Sequence, residues 1–204
     1  MELNQVVSPL VSRRTVTAYW LIPIEPAYCS FQGIINDLAV RYDAPVFEPH
    51  MTIHVGADRA DAASRALADA AHECTRIALT PTRIDQSDEF TKTLFVEFAM
   101  TAELRQLNEL IRNIAHASSQ YELKPHLSLL YNKMAAESRR DLAASIKVPL
   151  REVTFGAIKA VRCISPTQSR VDLEAWRVIE VVSLCSPAFT PENAIESRSR
   201  LSRN

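Results

Sequence analysis

The alternation of apolar and polar residues divides this chain into stretches with strand-like and helix-like spacing. Residues 15–24 are a nearly continuous apolar run rich in strand-favouring types, which predicts a buried strand. Residues 31–41 place apolar side chains at helical spacing behind Ser30, which we expect to be the N-cap of that helix. The Ala-rich stretch 59–74 predicts a second amphipathic helix. Two strands are then expected around a polar break, at residues 76–87 and 92–99.

The second half of the chain repeats this alternation. Thr101 is the expected N-cap of a long amphipathic helix that extends to about residue 117. A helix over residues 135–145 and strands over 153–164 and 175–184 complete the pattern. Strands and helices that recur in two similar halves favour an α+β fold with two similar lobes.

The domain organisation follows from where this periodicity ends. No linker separates the two halves, so we expect residues 1–185 to form a single domain with two lobes. Residues 186–204 lose all periodicity and are rich in Pro, Ser, Glu and Arg, which predicts a flexible C-terminal tail.

Two short segments of the chain share one plan. Residues 47–56 (FEPHMTIHVG) and 124–131 (KPHLSLLY) each contain a proline, a histidine, an apolar residue, a hydroxyl residue and further apolar residues. Proline blocks the continuation of a helix, and the residues that follow it are apolar or favour strands. Each segment is therefore predicted to be a short strand.

The strand period places chemically useful side chains together on one face of each segment. Because side chains alternate between the two faces of a strand, His50 and Thr52 share a face, as do His126 and Ser128. If the fold brings the two segments together, two imidazoles and two hydroxyls line one cleft. Such a cleft is a phosphate site with an acid and a base, and these four residues are the candidate catalytic groups.

Further residues near the two segments are candidates for substrate binding. Alternation puts His54 on the face of His50, where it lines the cleft, sits at its rim or orients a neighbour. The same alternation puts Tyr131 opposite His126 unless the strand turns there, so stacking on a base and core packing are both open. Of Tyr19 and Trp20, one should face the cleft and the other the core. Lys124 either offsets phosphate charge or is simply solvated.

Composition and charge exclude several classes of protein. The chain has 204 residues and a net charge of −1, so no basic field favours tight binding of long nucleic acid. Its three glycines are far apart, which excludes a P-loop and a dinucleotide fingerprint, and no GxSxG or HExxH motif is present. The longest apolar run is too short to span a membrane, and the chain starts without a secretory signal pattern, so the expected location is the cytoplasm.

The sequence predicts neither a metal ion nor another cofactor. Its four cysteines are scattered without a CxxC pair and are expected to be reduced. His50 and His54 have i, i+4 spacing, but this spacing chelates a metal well on a helix rather than on a strand, and no carboxylate or cysteine cluster accompanies them.

The two histidine segments resemble the H-x-[T/S] motifs of the 2H phosphoesterase superfamily. The sequences FEPHMT and KPHLSLLY, with the early strand YWLIP, are most similar to its cyclic phosphodiesterase-like branch, over about residues 15–184. The resemblance implies a bilobal fold with two pseudo-symmetric antiparallel sheets, flanked by helices around a central cleft. It also implies metal-independent hydrolysis of a cyclic phosphodiester or a related 2′-linked phosphodiester. In that family the second-motif histidine is usually the base and the first-motif histidine the acid, but this sequence leaves the order of His126 and His50 open.

Three functions are compatible with these motifs. The first is hydrolysis of a small cyclic phosphate, such as ADP-ribose 1″,2″-cyclic phosphate or a nucleoside 2′,3′-cyclic phosphate, by a monomeric enzyme. The second is action on RNA ends or 2′,5′-linked oligonucleotides, which the near-neutral charge disfavours. The third is a phosphate-ligand binding module without turnover, which would not need two proton-transfer groups.

Overall fold

The computed structural model describes residues 12–115 and 121–185 of the chain. The tail at 186–204 and the expected end of the third helix near residue 117 lie outside these residues. In chain order the elements are β1 (Arg14–Pro23), α1 (Ala27–Tyr42), β2 (Met51–Ala57), α2 (Ala60–Glu73), β3 (Ile77–Leu79), β4 (Pro81–Gln86), a 3-10 helix (Phe90–Lys92), β5 (Leu94–Phe98), α3 (Ala102–Ile114), β6 (His126–Leu130), α4 (Ala136–Ser145), β7 (Val153–Ser165), α5 (Arg170–Glu174) and β8 (Arg177–Ser183).

The strands form two separate sheets whose named strands all pair antiparallel, which confirms the predicted α+β fold. A five-stranded sheet has the order β2-β1-β7-β3, with β8 also paired to β7, and a three-stranded sheet has the order β4-β5-β6. Each sheet contains one histidine segment, in β2 and in β6. The sheets are unequal, and neither consists of one half of the chain, because β7 and β8 join β1 and β2 while β6 joins β4 and β5.

The strand β1 lies between β2 and β7, and it is buried on both faces because apolar side chains pack on each of them. On one face, Tyr19 and Leu21 belong to the main core, which lies under the helices. On the other face, Ala18 and Trp20 belong to a second apolar cluster. This arrangement explains the continuous apolar run of the sequence and leaves one face of the sheet available for a site.

The helix α3 matches its prediction at the N-terminus. Thr101 Oγ1 accepts a hydrogen bond of 3.3 Å from the backbone N–H of Leu104, as an N-cap does. Leu104, Leu107 and Ile111 are buried against the core, so the amphipathic face points as predicted.

The predicted N-cap of α1 is wrong. The helix begins at Ala27, with Pro26 at its N-cap position, and Ser30 lies within the helix. Proline fits there because the first N–H groups of a helix have no partner within it. The carboxylate of Glu25 accepts from the backbone N–H of Cys29 at 3.3 Å, so a residue before the helix takes the capping role.

The single strand predicted over residues 76–87 is also wrong. It consists of two strands in different sheets, since β3 pairs with β7 and β4 pairs with β5. The chain changes sheet next to Pro81, which has no backbone N–H for a continuous ladder. The short helix α5 was not predicted, because a few residues are too short to show a helical period.

Candidate active site

One cleft contains both histidine segments. It encloses about 830 Å³ and is lined by residues of both sheets, including His50, Thr52, His126 and Ser128. The tertiary structure therefore brings together the four side chains that the sequence singled out as candidate catalytic groups.

The two motif histidines are held in the same way. Nδ1 of His50 lies 2.6 Å from the backbone oxygen of Glu48, and Nδ1 of His126 lies 2.7 Å from that of Lys124. A carbonyl oxygen can only accept, so each ring donates through Nδ1. A neutral imidazole that donates through Nδ1 has its lone pair on Nε2. Both rings therefore keep Nε2 as the nitrogen that can take up a proton.

A β-bulge interrupts each motif strand directly after the hydroxyl residue. In β2, Thr52 pairs with Trp20 and His54 pairs with Tyr19, so Ile53 has no partner. A residue inserted into one strand of an antiparallel pair resets the alternation of side chains. Thr52 therefore faces the cleft, whereas Ile53 and His54 both face the core.

The second motif strand carries the same bulge. Ser128 pairs with Phe95 and Leu130 pairs with Leu94, so Leu129 has no partner. After this bulge Tyr131, instead of Leu130, lies in the cleft. His54 and Leu130 thus occupy equivalent places in the two sheets.

The bulges correct two of the predicted binding residues. His54 does not share the cleft face with His50; its side chain is 0% exposed between the sheet and α3, where Asn108 of α3 donates to the backbone oxygen of Ile53 at 2.6 Å. Tyr131 lines the cleft although it is buried, and its hydroxyl lies 3.5 Å from Nε2 of His50. Simple alternation misplaced both residues because neither bulge has a signature in the sequence.

Tyr19 and Trp20 divide between core and cleft, as predicted for the pair. Tyr19 is buried in the core and does not line the cleft. Burial raises the pKa of its hydroxyl to about 12. Trp20 lines the cleft and stacks on the His50 ring, with the ring centroids 3.8 Å apart.

The aromatic wall of the cleft extends beyond Trp20. Phe47 and Tyr131 stack with centroids 3.7 Å apart, and Trp176 meets Trp20 edge to face at 5.0 Å. Trp176 lies just before β8 and lines the cleft, yet the sequence offered no local signal for it. Aromatic faces of this kind provide the apolar surface on which a base or ribose packs.

Burial disfavours the protonated form of His50. Its side chain is buried, and desolvation lowers its pKa to about 4. The charges of His126 and Lys159 act in the same direction as desolvation, while the hydrogen bond to the Glu48 carbonyl opposes them. The ammonium of Lys159 lies 2.6 Å from the Glu48 carboxylate, so an ion pair anchors the residue that orients His50.

His126 is less buried than His50. Desolvation lowers its pKa as well, and the positive charge of Lys92 acts in the same direction. The Lys124 carbonyl opposes the shift. The ring packs edge to face against Phe95, with centroids 5.4 Å apart. Phe95 thus holds the place that Trp20 holds beside His50.

The hydroxyl groups and Lys124 complete the predicted set. Ser128 Oγ donates to the backbone oxygen of Thr91 at 2.8 Å, and the backbone oxygen of Thr52 accepts from the Tyr121 hydroxyl at 2.8 Å. Lys124 lines the cleft, but its side chain is 69% exposed and pairs with Glu122 at 3.4 Å.

Two absences concern the described part of the chain. Within residues 12–115 and 121–185, no group of three His, Cys, Asp or Glu side chains is arranged to hold a metal ion. None of the helices in these ranges is long and apolar enough to cross a membrane.

Most of this chain is similar in sequence to known proteins. The model of the family described as cyclic phosphodiesterase-like protein matches residues 16–187. The chain belongs to this family. It is 25% identical over 176 residues to a cyclic phosphodiesterase of Arabidopsis thaliana, covering 84% of this chain and 97% of that protein.

Solved structures of low sequence identity share the fold. Escherichia coli LigT complexed with 3′-AMP superimposes with a TM-score of 0.52 at 13% identity, over 85% of this chain and 99% of LigT. The protein TT0787 of Thermus thermophilus superimposes with a TM-score of 0.56 at 14% identity, over 84% of this chain and 98% of that protein. The fold is that of the LigT-like 2H phosphoesterases, which confirms the resemblance seen in the two motifs.

Proposed function

We propose that this protein hydrolyses a cyclic phosphodiester in a small nucleotide-like substrate, with two histidines and no metal ion or other cofactor. The observation that supports this most directly is the matched pair His50 and His126, each held by a backbone carbonyl in the tautomer that leaves Nε2 free. A cyclic phosphodiesterase is the named activity of the Arabidopsis relative. LigT, which has the same fold, is known in complexes with 3′-AMP and with phosphate.

The reaction requires two proton transfers. One neutral imidazole takes a proton from water through Nε2 as the water oxygen bonds to phosphorus. The other, as imidazolium, gives a proton to the ribose oxygen as the bond from that oxygen to phosphorus breaks. Thr52 and Ser128 donate hydrogen bonds to the non-bridging oxygens, where negative charge must be stabilised. Ser128 must first turn its hydroxyl proton away from the Thr91 carbonyl. The product is a phosphate monoester.

We assign the base to His126 and the acid to His50. The pKa values of both rings are lowered, so charge and burial do not separate the two roles, and the contact of His50 with Trp20 does. The Trp20 ring stacked on His50 favours an imidazolium through a cation–π contact. An anionic phosphodiester in the cleft raises the pKa of His50 from its low value, because an opposite charge nearby favours the protonated ring.

The charges around the cleft favour a small substrate over long RNA. Acidic and basic side chains line it in equal number, so the cleft has no net positive charge to grip a polyanion. A volume of about 830 Å³ is in the range of small-molecule sites. The charged lining residues, apart from histidines, are Arg14, Lys92, Lys124, Asp58, Glu89 and Glu122.

The test is hydrolysis of ADP-ribose 1″,2″-cyclic phosphate and the four nucleoside 2′,3′-cyclic phosphates in EDTA. We expect turnover by the wild type and a loss of at least about 10²-fold in kcat for both His50→Ala and His126→Ala. His72→Ala is the matched control, because His72 is exposed on α2 and does not line the cleft. Absence of turnover in the wild type, or turnover that both cleft variants retain, would refute the proposal. If the protein hydrolyses 2′,5′-linked oligonucleotides instead, its substrate class is RNA rather than a small cyclic phosphate.

A further inference from the structure

Lys92 occupies a fixed position in the cleft that the sequence did not single out. It is the last residue of the 3-10 helix before β5, and it is half-buried in the cleft wall. Its backbone N–H donates to the Glu89 carbonyl at 2.9 Å, and its carbonyl accepts from Ser87 Oγ at 2.7 Å. The ammonium lies 4.4 Å from the centroid of the Phe95 ring. Both the backbone and the side chain of Lys92 are therefore held in place.

This position belongs to the His126 half of the site. Phe95, which lies under the ammonium, also packs against the His126 ring at 5.4 Å. Thr91, the neighbour of Lys92 in the chain, accepts the hydrogen bond of Ser128 at 2.8 Å. The lysine thus stands beside the imidazole and the hydroxyl of the second motif.

Lys92 differs from the other lysines near the site in its charge balance. Within the described ranges no carboxylate lies within 4.0 Å of its ammonium, whereas Lys124 pairs with Glu122 at 3.4 Å and Lys159 with Glu48 at 2.6 Å. A half-buried cation without a counter-charge loses hydration and gains little in return. An anion bound in the cleft would supply the missing partner.

Two acidic residues are near enough to influence His126, and neither neutralises Lys92. Glu97 is paired with Arg83 at 2.7 Å. Glu89 is exposed at the edge of the cleft and forms no ion pair with the ammonium. The positive charge of Lys92 is therefore available to a ligand.

We propose that the Lys92 ammonium binds a non-bridging oxygen of the substrate phosphate on the His126 side of the cleft. Its role in turnover rests on the proposed function; its role in binding a phosphate anion does not. Lys92 makes the site prefer phosphorylated ligands over the corresponding nucleosides. It also adds positive charge where the pentacoordinate phosphorus gathers negative charge in the transition state.

The test measures two quantities for four variants: kcat/KM for the best cyclic phosphate, and the affinity for inorganic phosphate, measured by calorimetry. The affinity for adenosine, measured in the same way, is the reference for binding that does not involve phosphate. Lys92→Met should lower kcat/KM and phosphate affinity by about 10- to 100-fold, as expected for a lost charge-assisted contact, and should leave adenosine affinity unchanged. Lys92→Arg should retain most of both quantities. Lys124→Met should cost less than Lys92→Met, because Lys124 already has a partner. Lys133 is an exposed lysine outside the cleft, so Lys133→Met is the control for the loss of one positive charge.

The outcomes separate this proposal from the proposed function. If the wild type binds phosphate but hydrolyses none of the substrates, and Lys92→Met weakens that binding, the role of Lys92 stands and the hydrolytic function fails. If turnover is present and Lys92→Met changes neither quantity, the function stands and the role of Lys92 fails. A larger loss in Lys124→Met, or no phosphate binding by the wild type, also overturns the assignment to Lys92.

Discussion

The buried histidine on the core side of β2 should make the protein less stable in acid. His54 is 0% exposed, and neither ring nitrogen has a hydrogen-bond partner within the described ranges of the chain. Its neighbours are the rings of Tyr19 and Tyr121, with centroids 6.1 Å and 5.9 Å away. Burial, together with a smaller effect of the Arg112 charge, lowers the pKa of His54 to about 4. The ring is therefore neutral in the folded protein at pH 7.

The sign of the pH effect follows from this low pKa. A histidine in the unfolded chain titrates near pH 6.5, so between that pH and the folded pKa of about 4 the unfolded state binds more protons. The contribution of His54 is complete above pH 6.5 and is lost as the pH falls towards 4. At about 1.4 kcal/mol per pH unit, the free energy of unfolding falls by about 3 kcal/mol between pH 6.5 and pH 4. About 2 kcal/mol of this has been lost at pH 5.

The perturbation that tests this reasoning is His54→Leu. Leucine has a similar volume, cannot be protonated, and is the residue at the equivalent place in β6, Leu130. At pH 7 the variant should be more stable than the wild type by about 1 kcal/mol, because two buried nitrogens without partners are removed. At pH 5 the gain should rise to about 3 kcal/mol, because the wild type then also loses about 2 kcal/mol by protonation.

The assay is urea denaturation of the wild type and His54→Leu at pH 7 and pH 5, with turnover measured at pH 7. His72→Leu is the control for replacing a histidine by leucine, since His72 is exposed on α2. Turnover by His54→Leu should equal that of the wild type, because His54 does not line the cleft. A loss of stability at pH 7, or a gain that does not increase at pH 5, would show that the imidazole is hydrogen-bonded in the fold and would refute the reasoning.

Two further predictions concern the motif histidines. The pKa of His50 is lowered to about 4 and that of His126 is also lowered. The productive enzyme carries one proton shared between His50 and His126, so kcat/KM should be maximal below pH 6.5 and should fall as the pH rises. A pH profile of initial rates with its maximum above pH 7 would contradict this prediction. Lys159→Met leaves the Glu48 carboxylate unpaired beside His50. The variant should therefore have a kcat about 10-fold lower with little change in KM, because His50 is less well positioned. The acidic limb of its pH profile should move to higher pH, because the unpaired carboxylate favours the protonated ring. Lys159→Arg should restore both, and a kcat equal to wild type in Lys159→Met would show that the ion pair does not position His50.

The local elements of the fold could be predicted from the sequence where one physical signal dominates. The helical period and the hydroxyl at Thr101 were sufficient for α3, because capping and amphipathicity act over a few neighbouring residues. The duplicated segments predicted two strands, each with an imidazole beside a hydroxyl. The prediction of Ser30 as the cap was wrong because the helix already begins at Ala27, and the propensity of a single residue does not decide where a helix begins.

The sequence by itself determined which imidazole and hydroxyl side chains lie together on each strand. It placed His50 with Thr52, and His126 with Ser128, because residues two positions apart share a face wherever a strand is regular. That local rule needs no partner strand. The match to the family model spans residues 16–187, which include both segments.

Only the tertiary structure decided which other side chains reach or support the cleft. The bulges at Ile53 and Leu129 depend on register with β1 and β5, so they turn His54 into the core and Tyr131 into the cleft. Lys92 lines the cleft from the 3-10 helix, and Lys159 of β7 pairs with Glu48 behind it; each is distant in sequence from the motif that it serves. Strand register and the packing of two sheets are set by the sum of contacts between distant segments, and no local pattern in a single sequence encodes that sum.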